Sequence, residues 1–191
     1  MAPQRLIIAL SGASGQIYGI RILQLLAQTP DIETHLVLSQ AARITIAQET
    51  DFAPAQVEAL ADAVYRPGDI GAAIASGSFP ALGMIVAPCS IKTLSAIAHS
   101  YANDLIVRAA DVQLKEGRPL LLMVRETPLH LGHLRLMTQA AEMGAIIFPP
   151  VPAFYARPAS LDEMVTHTVG RMLARIGIPN DAYPRWRGVA R

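Results

Sequence analysis

The chain has 191 residues and a mass of 20.5 kDa, a size that favours one domain. Hydrophobic residues make up 52% of the sequence and charged residues 16%, which excludes a disordered chain and favours self-association. Sixteen lysines and arginines oppose fifteen acidic residues, a balance that excludes an electrostatic nucleic-acid binder. The single cysteine, Cys89, excludes an intrachain disulfide and favours a reducing, cytoplasmic location. We expect no membrane-spanning segment, because no uncharged stretch is long enough to cross a bilayer.

Strands and helices alternate along the chain. Apolar runs predict strands over residues 5–10, 34–39, 82–87, 119–125 and 145–148. Helical spacing of apolar residues predicts helices over residues 17–26, 40–48, 54–64, 91–99, 105–116, 129–143 and 161–176. Because the strands are continuously apolar, they indicate a parallel sheet with helices on both faces. We therefore expect an α/β, three-layer Rossmann-like (flavodoxin-like) fold, one domain over residues 1–191 with an irregular tail from about residue 177.

The turn after the first strand contains Gly12, Gly15 and Gly19, spaced as G-x-x-G-x-x-x-G. Small residues there allow backbone N–H groups to approach a phosphate at the start of a helix, although such a turn can equally reflect tight packing. The spacing matches neither the dinucleotide fingerprint nor a Walker A loop. The second strand ends in Ser39, where NAD sites usually carry a ribose-binding carboxylate. A mononucleotide such as FMN therefore fits this sequence better than NAD.

The other strand ends also carry polar residues. After the third strand, residues 89–93 either form a second anion-binding turn or simply place Ser90 as a helix N-cap beside a small buried Cys89. We do not expect Cys89 to act as a nucleophile, since no histidine lies near it in sequence. Arg125 and Glu126 close the most apolar strand. His130 and His133 are three residues apart but lack a third ligand at metal spacing, so we expect no metal site.

Together these junctions resemble the UbiX flavin prenyltransferase family. The resemblance covers residues 5 to about 186, and the motifs are specific in combination. They are SGASGQIYGIR (11–21), ETD (49–51), PCSIKTLSAIAHS (88–100), RAADVQLKEGRPL (108–120), VRETPLHLGHL (124–134) and PPVPAFYARP (149–158).

The resemblance implies the reaction. The family joins a dimethylallyl group, delivered as dimethylallyl phosphate, to N5 and C6 of reduced FMN. The prenylated FMN then serves a UbiD-type decarboxylase, as in ubiquinone biosynthesis. The sequence has no Asp-rich diphosphate motif, which agrees with a metal-independent transferase that holds a monophosphate by cationic side chains.

The resemblance also implies roles for individual residues. Ser14, Glu49 and Glu126 are the expected catalytic residues: Ser14 near the reacting N5 edge, the two glutamates in proton transfer. The substrate phosphate is expected at Lys115, Tyr155 and Arg171, with Arg108 close by and Trp186 over the isoprenyl group. On the residues alone, the spacing of Arg108, Asp111 and Lys115 more commonly indicates a solvated helix face with salt bridges. The expected FMN-binding residues are Gly12, Ala13, Ser14, Ser39, Cys89, Ser90, Ile91, Lys92, Thr93 and Arg125.

The family forms dodecamers built from trimers, and we expect a closed homo-oligomer with shared active sites. Tyr155 follows a proline run and Arg171 lies on the last predicted helix, positions suited to reaching a neighbour. Two alternatives remain at this point: an FMN-dependent decarboxylase and a non-catalytic flavin carrier subunit.

Overall fold

The computed structural model describes residues 3–186 and 188. The strands are β1 (Gln4–Leu10), β2 (Ile32–Leu38), β3 (Ala63–Tyr65), β4 (Gly83–Cys89), β5 (Leu120–Val124) and β6 (Ile146–Ile147). The helices are α1 (Gln16–Leu26), α2 (Gln40–Glu49), α3 (Pro54–Glu58), α4 (Ile91–Ala98), α5 (Leu105–Lys115), α6 (Leu131–Glu142) and α7 (Leu161–Arg175). Short 3₁₀ turns occur at Ala73–Ala75 and Phe154–Ala156.

The six strands form one parallel sheet in the order β3-β2-β1-β4-β5-β6. The strand order reverses between β1 and β4, and in such sheets ligands bind beyond the carboxyl ends of the strands at that point. The expected α/β fold is confirmed. Among the described residues, no helix is long and apolar enough to cross a membrane.

The predicted helix over residues 54–64 is wrong in its second half. The helix α3 ends at Glu58, and Ala63–Tyr65 forms an edge strand paired with β2. The carboxylate of Asp62 accepts hydrogen bonds from the backbone N–H and hydroxyl of Thr34, and the Tyr65 hydroxyl lies 2.9 Å from Nδ1 of His35. Pairing with β2 therefore overrides the helical spacing of the apolar residues.

The sheet has a core on each face. One core packs α1, α2 and α7 against side chains such as Ile8 and Ile85. The other packs α4, α5 and α6 against the alternate side chains, such as Ile7 and Val86. Residues on α7 and residues on α5 consequently lie on opposite faces of the same sheet.

Candidate functional site

The turn after β1 is fixed by buried hydrogen bonds. The Ser11 hydroxyl donates to the carbonyl of Pro88 at 2.9 Å and accepts from the N–H of Ser90 at 2.8 Å, which ties the end of β1 to the end of β4. The buried Gln16 amide donates to the carbonyls of Ser11 and Ala13, each at 2.8 Å. Both residues lie in the SGASGQIYGIR motif, but the sequence alone predicted no role for either. A glutamine opening an otherwise apolar buried helix face was the available signal.

Gly12 and Gly15 are required for different reasons. A Cβ on Gly12 would lie 2.4 Å from Cβ of Ala41, so α2 packs directly on the turn. Gly15 has a φ of +99°, a left-handed conformation that glycine adopts without strain. The tight-packing explanation is therefore correct for Gly12.

Glu49 lies at the start of α1. Its carboxylate accepts hydrogen bonds from the N–H of Gly15 at 2.8 Å and of Gln16 at 3.3 Å, so it caps the positive end of that helix. Ser14 directly precedes Gly15. Two of the three expected catalytic residues thus meet at one helix terminus.

Hydroxyls begin the next two helices at the same edge. Ser39 caps α2, its oxygen accepting from the N–H of Ala42 at 3.0 Å. Ser90 caps α4, accepting from the N–H of Thr93 and donating to the Thr93 hydroxyl at 3.1 Å. The N-cap interpretation of Ser90 therefore agrees with the structure, and the cap also faces the cavity described next.

A cavity of about 690 Å³ opens at this edge, within the usual range for small-molecule sites. Seven of the expected residues line it: Gly12, Ser39, Ser90, Ile91, Lys92, Thr93 and Glu126. The sequence analysis did not anticipate the other lining residues: Gln40, Ala41, Ile44, Pro67, Asp104 and Ile106. We call this space the edge cavity.

Three of the expected residues have distinct surroundings. The Cys89 side chain is fully buried, and burial raises the pKa of its thiol to about 12, so it is unreactive and only its backbone can face a ligand. Arg125 lies near Tyr18: burial raises the pKa of the Tyr18 hydroxyl, and the charge of Arg125 opposes that rise. The exposed Glu126 carboxylate accepts from the N–H of Thr127 at 2.9 Å.

The basic residues of α5 do not line the edge cavity. Helix α5 starts beside the loop after β3, where the N–H of Leu105 donates to the carbonyl of Pro67, and it ends at Lys115, just before β5 begins. Lys115 pairs with Glu116 beside Gly77. Arg108 pairs with Asp111 at 3.1 Å and donates to the carbonyl of Ala75. Lys115 is therefore at the opposite end of the sheet from Glu126.

A second cleft lies beside α7 and is lined by aromatic and basic side chains. It has a volume of about 420 Å³, and its lining includes Phe148, Phe154, Tyr155, His167 and Arg171. The Tyr155 and Trp186 rings meet edge to face at 5.5 Å. The structure thus brings the expected Tyr155, Arg171 and Trp186 together, and we call this space the aromatic cleft.

Arg108 and Lys115 do not reach the aromatic cleft within one chain. They belong to α5 on one face of the sheet, whereas Arg171 belongs to α7 on the other. The four expected phosphate-binding residues can therefore meet only if two copies of the chain supply them.

The histidine pair of α6 has a local structural explanation. The rings of His130 and His133 lie 3.6 Å apart, and Nδ1 of His130 accepts from the N–H of Gly132 as the cap of α6. No group of three potential metal-binding side chains occurs within residues 3–186 or at residue 188.

Comparison with known proteins establishes the family. The chain matches the Flavoprotein family model over residues 1–172. It is 63% identical over 187 residues to the flavin prenyltransferase UbiX of Escherichia coli strain K12, covering 97% of this chain and 99% of that protein. It superposes on AnUbiX (PadA1), crystallised with FMN and dimethylallyl pyrophosphate, with a TM-score of 0.96 and 47% identity over 98% of this chain and 100% of that one.

A dodecameric FMN-dependent UbiX-like decarboxylase from Escherichia coli O157:H7 gives a TM-score of 0.95 and 46% identity, covering 97% of this chain and 100% of that chain. Fold and sequence therefore agree over nearly the whole length, and the resemblance of the motifs is confirmed. This chain belongs to the UbiX family of flavin prenyltransferases.

Proposed function

We propose that this chain joins the dimethylallyl group of dimethylallyl phosphate to N5 and C6 of reduced FMN and releases inorganic phosphate. The prenylated FMN is then the cofactor of a UbiD-type decarboxylase, as in ubiquinone biosynthesis. The observation that carries the proposal is the edge cavity, where residues of the family's FMN-binding motifs meet at the ends of neighbouring strands. Membership of the family supports the reaction.

The edge cavity fits FMN. The bare Gly12 backbone and the Ser39 hydroxyl, beside the N-terminus of α2, suit a phosphate monoester. Ser90, Ile91, Lys92 and Thr93 provide polar groups and an apolar surface along the neighbouring wall. Reduced FMN supplies the nucleophilic positions that receive the dimethylallyl group. Ala13, Ser14 and Arg125 are proposed to contact it from the adjoining turns.

The glutamates are proposed to move protons. Glu126 lines the edge cavity and its carboxylate is exposed, so it can reach a bound ligand. Glu49 is held by two N–H groups directly after Ser14, which places its charge at the flavin-binding turn. General acid–base groups of this kind contribute about 10²–10⁴-fold to rate.

The leaving phosphate is proposed to bind in the aromatic cleft. Arg171 and the Tyr155 hydroxyl can donate to phosphate oxygens as the C–O bond breaks, with the bonding electrons leaving on the phosphate. The rings of Tyr155 and Trp186 present electron-rich faces to the positive charge that develops on the allyl group. Arg108 and Lys115 would complete the phosphate site from a second copy, because in one chain they lie on the other face of the sheet.

A homododecamer supplies such copies, and the related enzyme from Escherichia coli O157:H7 is dodecameric. The exposed apolar side chains of this chain, among them Leu131 and Phe154, are consistent with contacts between protomers. The single buried cysteine also supports our prediction of a cytoplasmic enzyme.

An anaerobic assay tests the proposal. The purified protein is incubated with reduced FMN and either dimethylallyl phosphate or the diphosphate found with AnUbiX. We expect a flavin heavier by one isoprenyl unit, with an equal amount of phosphate released from the monophosphate or of pyrophosphate from the diphosphate. Loss of carbon dioxide from an added carboxylic acid without this product would instead support a decarboxylase, and unchanged flavin would support a carrier subunit.

A further inference from the structure

The segment that follows α7 is fastened to that helix by one side chain. The Asn180 amide donates to the carbonyl of Gly170 at 3.0 Å and to the carbonyl of Ile178 at 3.1 Å. Its oxygen accepts from the N–H of Ala182 at 3.1 Å. The Asn180 side chain thus links the middle of α7 to the backbone two residues before and two residues after Asn180. Asparagine favours such local hydrogen bonds to the backbone.

Gly170 allows the segment to pack closely against α7. A Cβ on Gly170 would lie 2.8 Å from Oδ1 of Asn180, 2.9 Å from Cβ of Ala182 and 3.0 Å from Cδ1 of Tyr183. Even one methyl group would therefore push the segment away from α7. Glycine costs stability inside a helix, and here it permits this close approach.

The fastened segment contacts residues that line the aromatic cleft. The Tyr183 ring lies 5.6 Å from the Arg171 guanidinium, in a cation–π contact. The carbonyl of Pro184 accepts from the Tyr155 hydroxyl at 3.4 Å, and Trp186 packs against the Tyr155 ring. Each of these contacts touches a residue proposed to bind the substrate phosphate.

We infer that Asn180 is a positioning residue, which together with the bare backbone of Gly170 holds residues 178–186 against Arg171 and Tyr155, two residues that line the aromatic cleft. Held in this position, the segment orients Arg171 and Tyr155 toward an isoprenyl phosphate. Asn180 itself does not contact the phosphate. The identity of the ligand in this inference rests on the proposed function. The attachment of the segment to α7 does not depend on that function.

Three variants disrupt the contact between Asn180 and Gly170 in different ways. Asn180→Ala removes the side chain, and Asn180→Asp keeps the acceptor for Ala182 while replacing the donor to Gly170. Gly170→Ala adds the obstructing methyl group and favours the helix, so a weaker α7 cannot explain its effect. Asp181→Ala removes the exposed neighbouring side chain and is the matched control.

The FMN-loaded proteins are compared by two readouts. Trp186 is the only tryptophan of the sequence, so its fluorescence anisotropy decay reports motion of the segment. Inorganic phosphate is titrated as the ligand, and the KM for dimethylallyl phosphate is measured beside kcat. In the three variants we expect the fast component of the anisotropy decay to be larger. Phosphate should bind about ten-fold more weakly and the KM should be about ten-fold higher, because the loss of a hydrogen bond changes affinity by about that factor. The value of kcat should also fall, because Arg171 and Tyr155 are proposed to act as the C–O bond breaks. FMN affinity and Tm should change little, and Asp181→Ala should resemble the wild type.

Several results would overturn the inference. These are unchanged anisotropy, phosphate affinity within two-fold of wild type in folded Asn180→Ala and Gly170→Ala, or no phosphate binding by the wild-type protein. If the wild type binds phosphate but does not prenylate flavin, the proposed function fails. The fastening is then still judged by anisotropy and phosphate affinity.

Discussion

The turn after β1 and the aromatic cleft are both proposed ligand sites, but they are stabilised differently. The turn is held by buried hydrogen bonds of Ser11 and Gln16 and by the tight contact of Gly12 with α2. The rings at the aromatic cleft are exposed: 49% of the Tyr155 surface and 62% of the surface of Trp186, which packs against Tyr155, are accessible to solvent. Contacts within one chain therefore fix the proposed flavin side of the site, whereas the rings on the proposed phosphate side are largely exposed.

The largest effect is expected at the flavin side. Glu126→Gln keeps the shape of the side chain and removes its ionisable group, so adduct formation should slow by about 10²–10⁴-fold while FMN still binds. Stopped reactions analysed by mass spectrometry measure the rate, and flavin fluorescence measures binding. Wild-type turnover in this variant would assign Glu126 a structural role only.

Gly12→Ala tests whether the turn is as tight as its contacts indicate. The added methyl group would lie 2.4 Å from Cβ of Ala41, and overpacking of this kind costs about 1–3 kcal/mol. We expect FMN affinity to fall about ten-fold or more in a fluorescence titration. Gly68→Ala is the control, because a Cβ there meets no atom within 4 Å. Equal FMN affinity in both variants would show that the turn can accommodate a methyl group at residue 12 without strain.

A smaller effect is expected from His35 in β2, which belongs to neither region. Burial lowers the pKa of its imidazole below 6.5, against the opposing effect of the Glu33 carboxylate. The unfolded chain then binds the proton more readily, so stability is fully present above pH 6.5 and falls as the pH drops through that value. Denaturant unfolding at pH 7 and pH 5 should show a smaller loss in His35→Gln than in wild type. His99→Gln, at an exposed histidine, should keep the wild-type loss.

The smallest effect is expected at Cys89. With a pKa of about 12, the thiol is ionised to about 10⁻⁴ at pH 8, so iodoacetamide should leave the native protein unmodified. Labelling in denaturant is the control. Rapid alkylation of the folded enzyme would contradict the burial of this side chain.

Sequence reasoning predicted most of the fold because the strands are continuous apolar runs and the helices have clear periodicity. It missed β3, because three residues of an edge strand gain their structure from β2 and not from their own pattern. At the site, it identified residues that directly follow strands, such as Ser39 and Glu126. It could not identify Gln16 as the residue that fixes the turn, because that role depends on two carbonyls brought together by folding.

The relation between Lys115 and Arg171 also required the structure. Sequence analysis placed both at one phosphate, and each matches its motif. Only the topology shows that α5 and α7 cover opposite faces of the sheet. The proposed phosphate site would therefore lie between chains.

Co-expression of two inactive variants tests this central claim most directly. Lys115→Ala and Arg171→Ala chains are each expected to be inactive alone. If every phosphate site takes Lys115 from one copy and Arg171 from another, random mixed assembly leaves about a quarter of the sites with both residues. The co-purified hybrid should then show about a quarter of the wild-type rate of flavin prenylation. Activity no higher than that of the separate variants, in hybrids shown by mass spectrometry to contain both chains, would contradict the shared site.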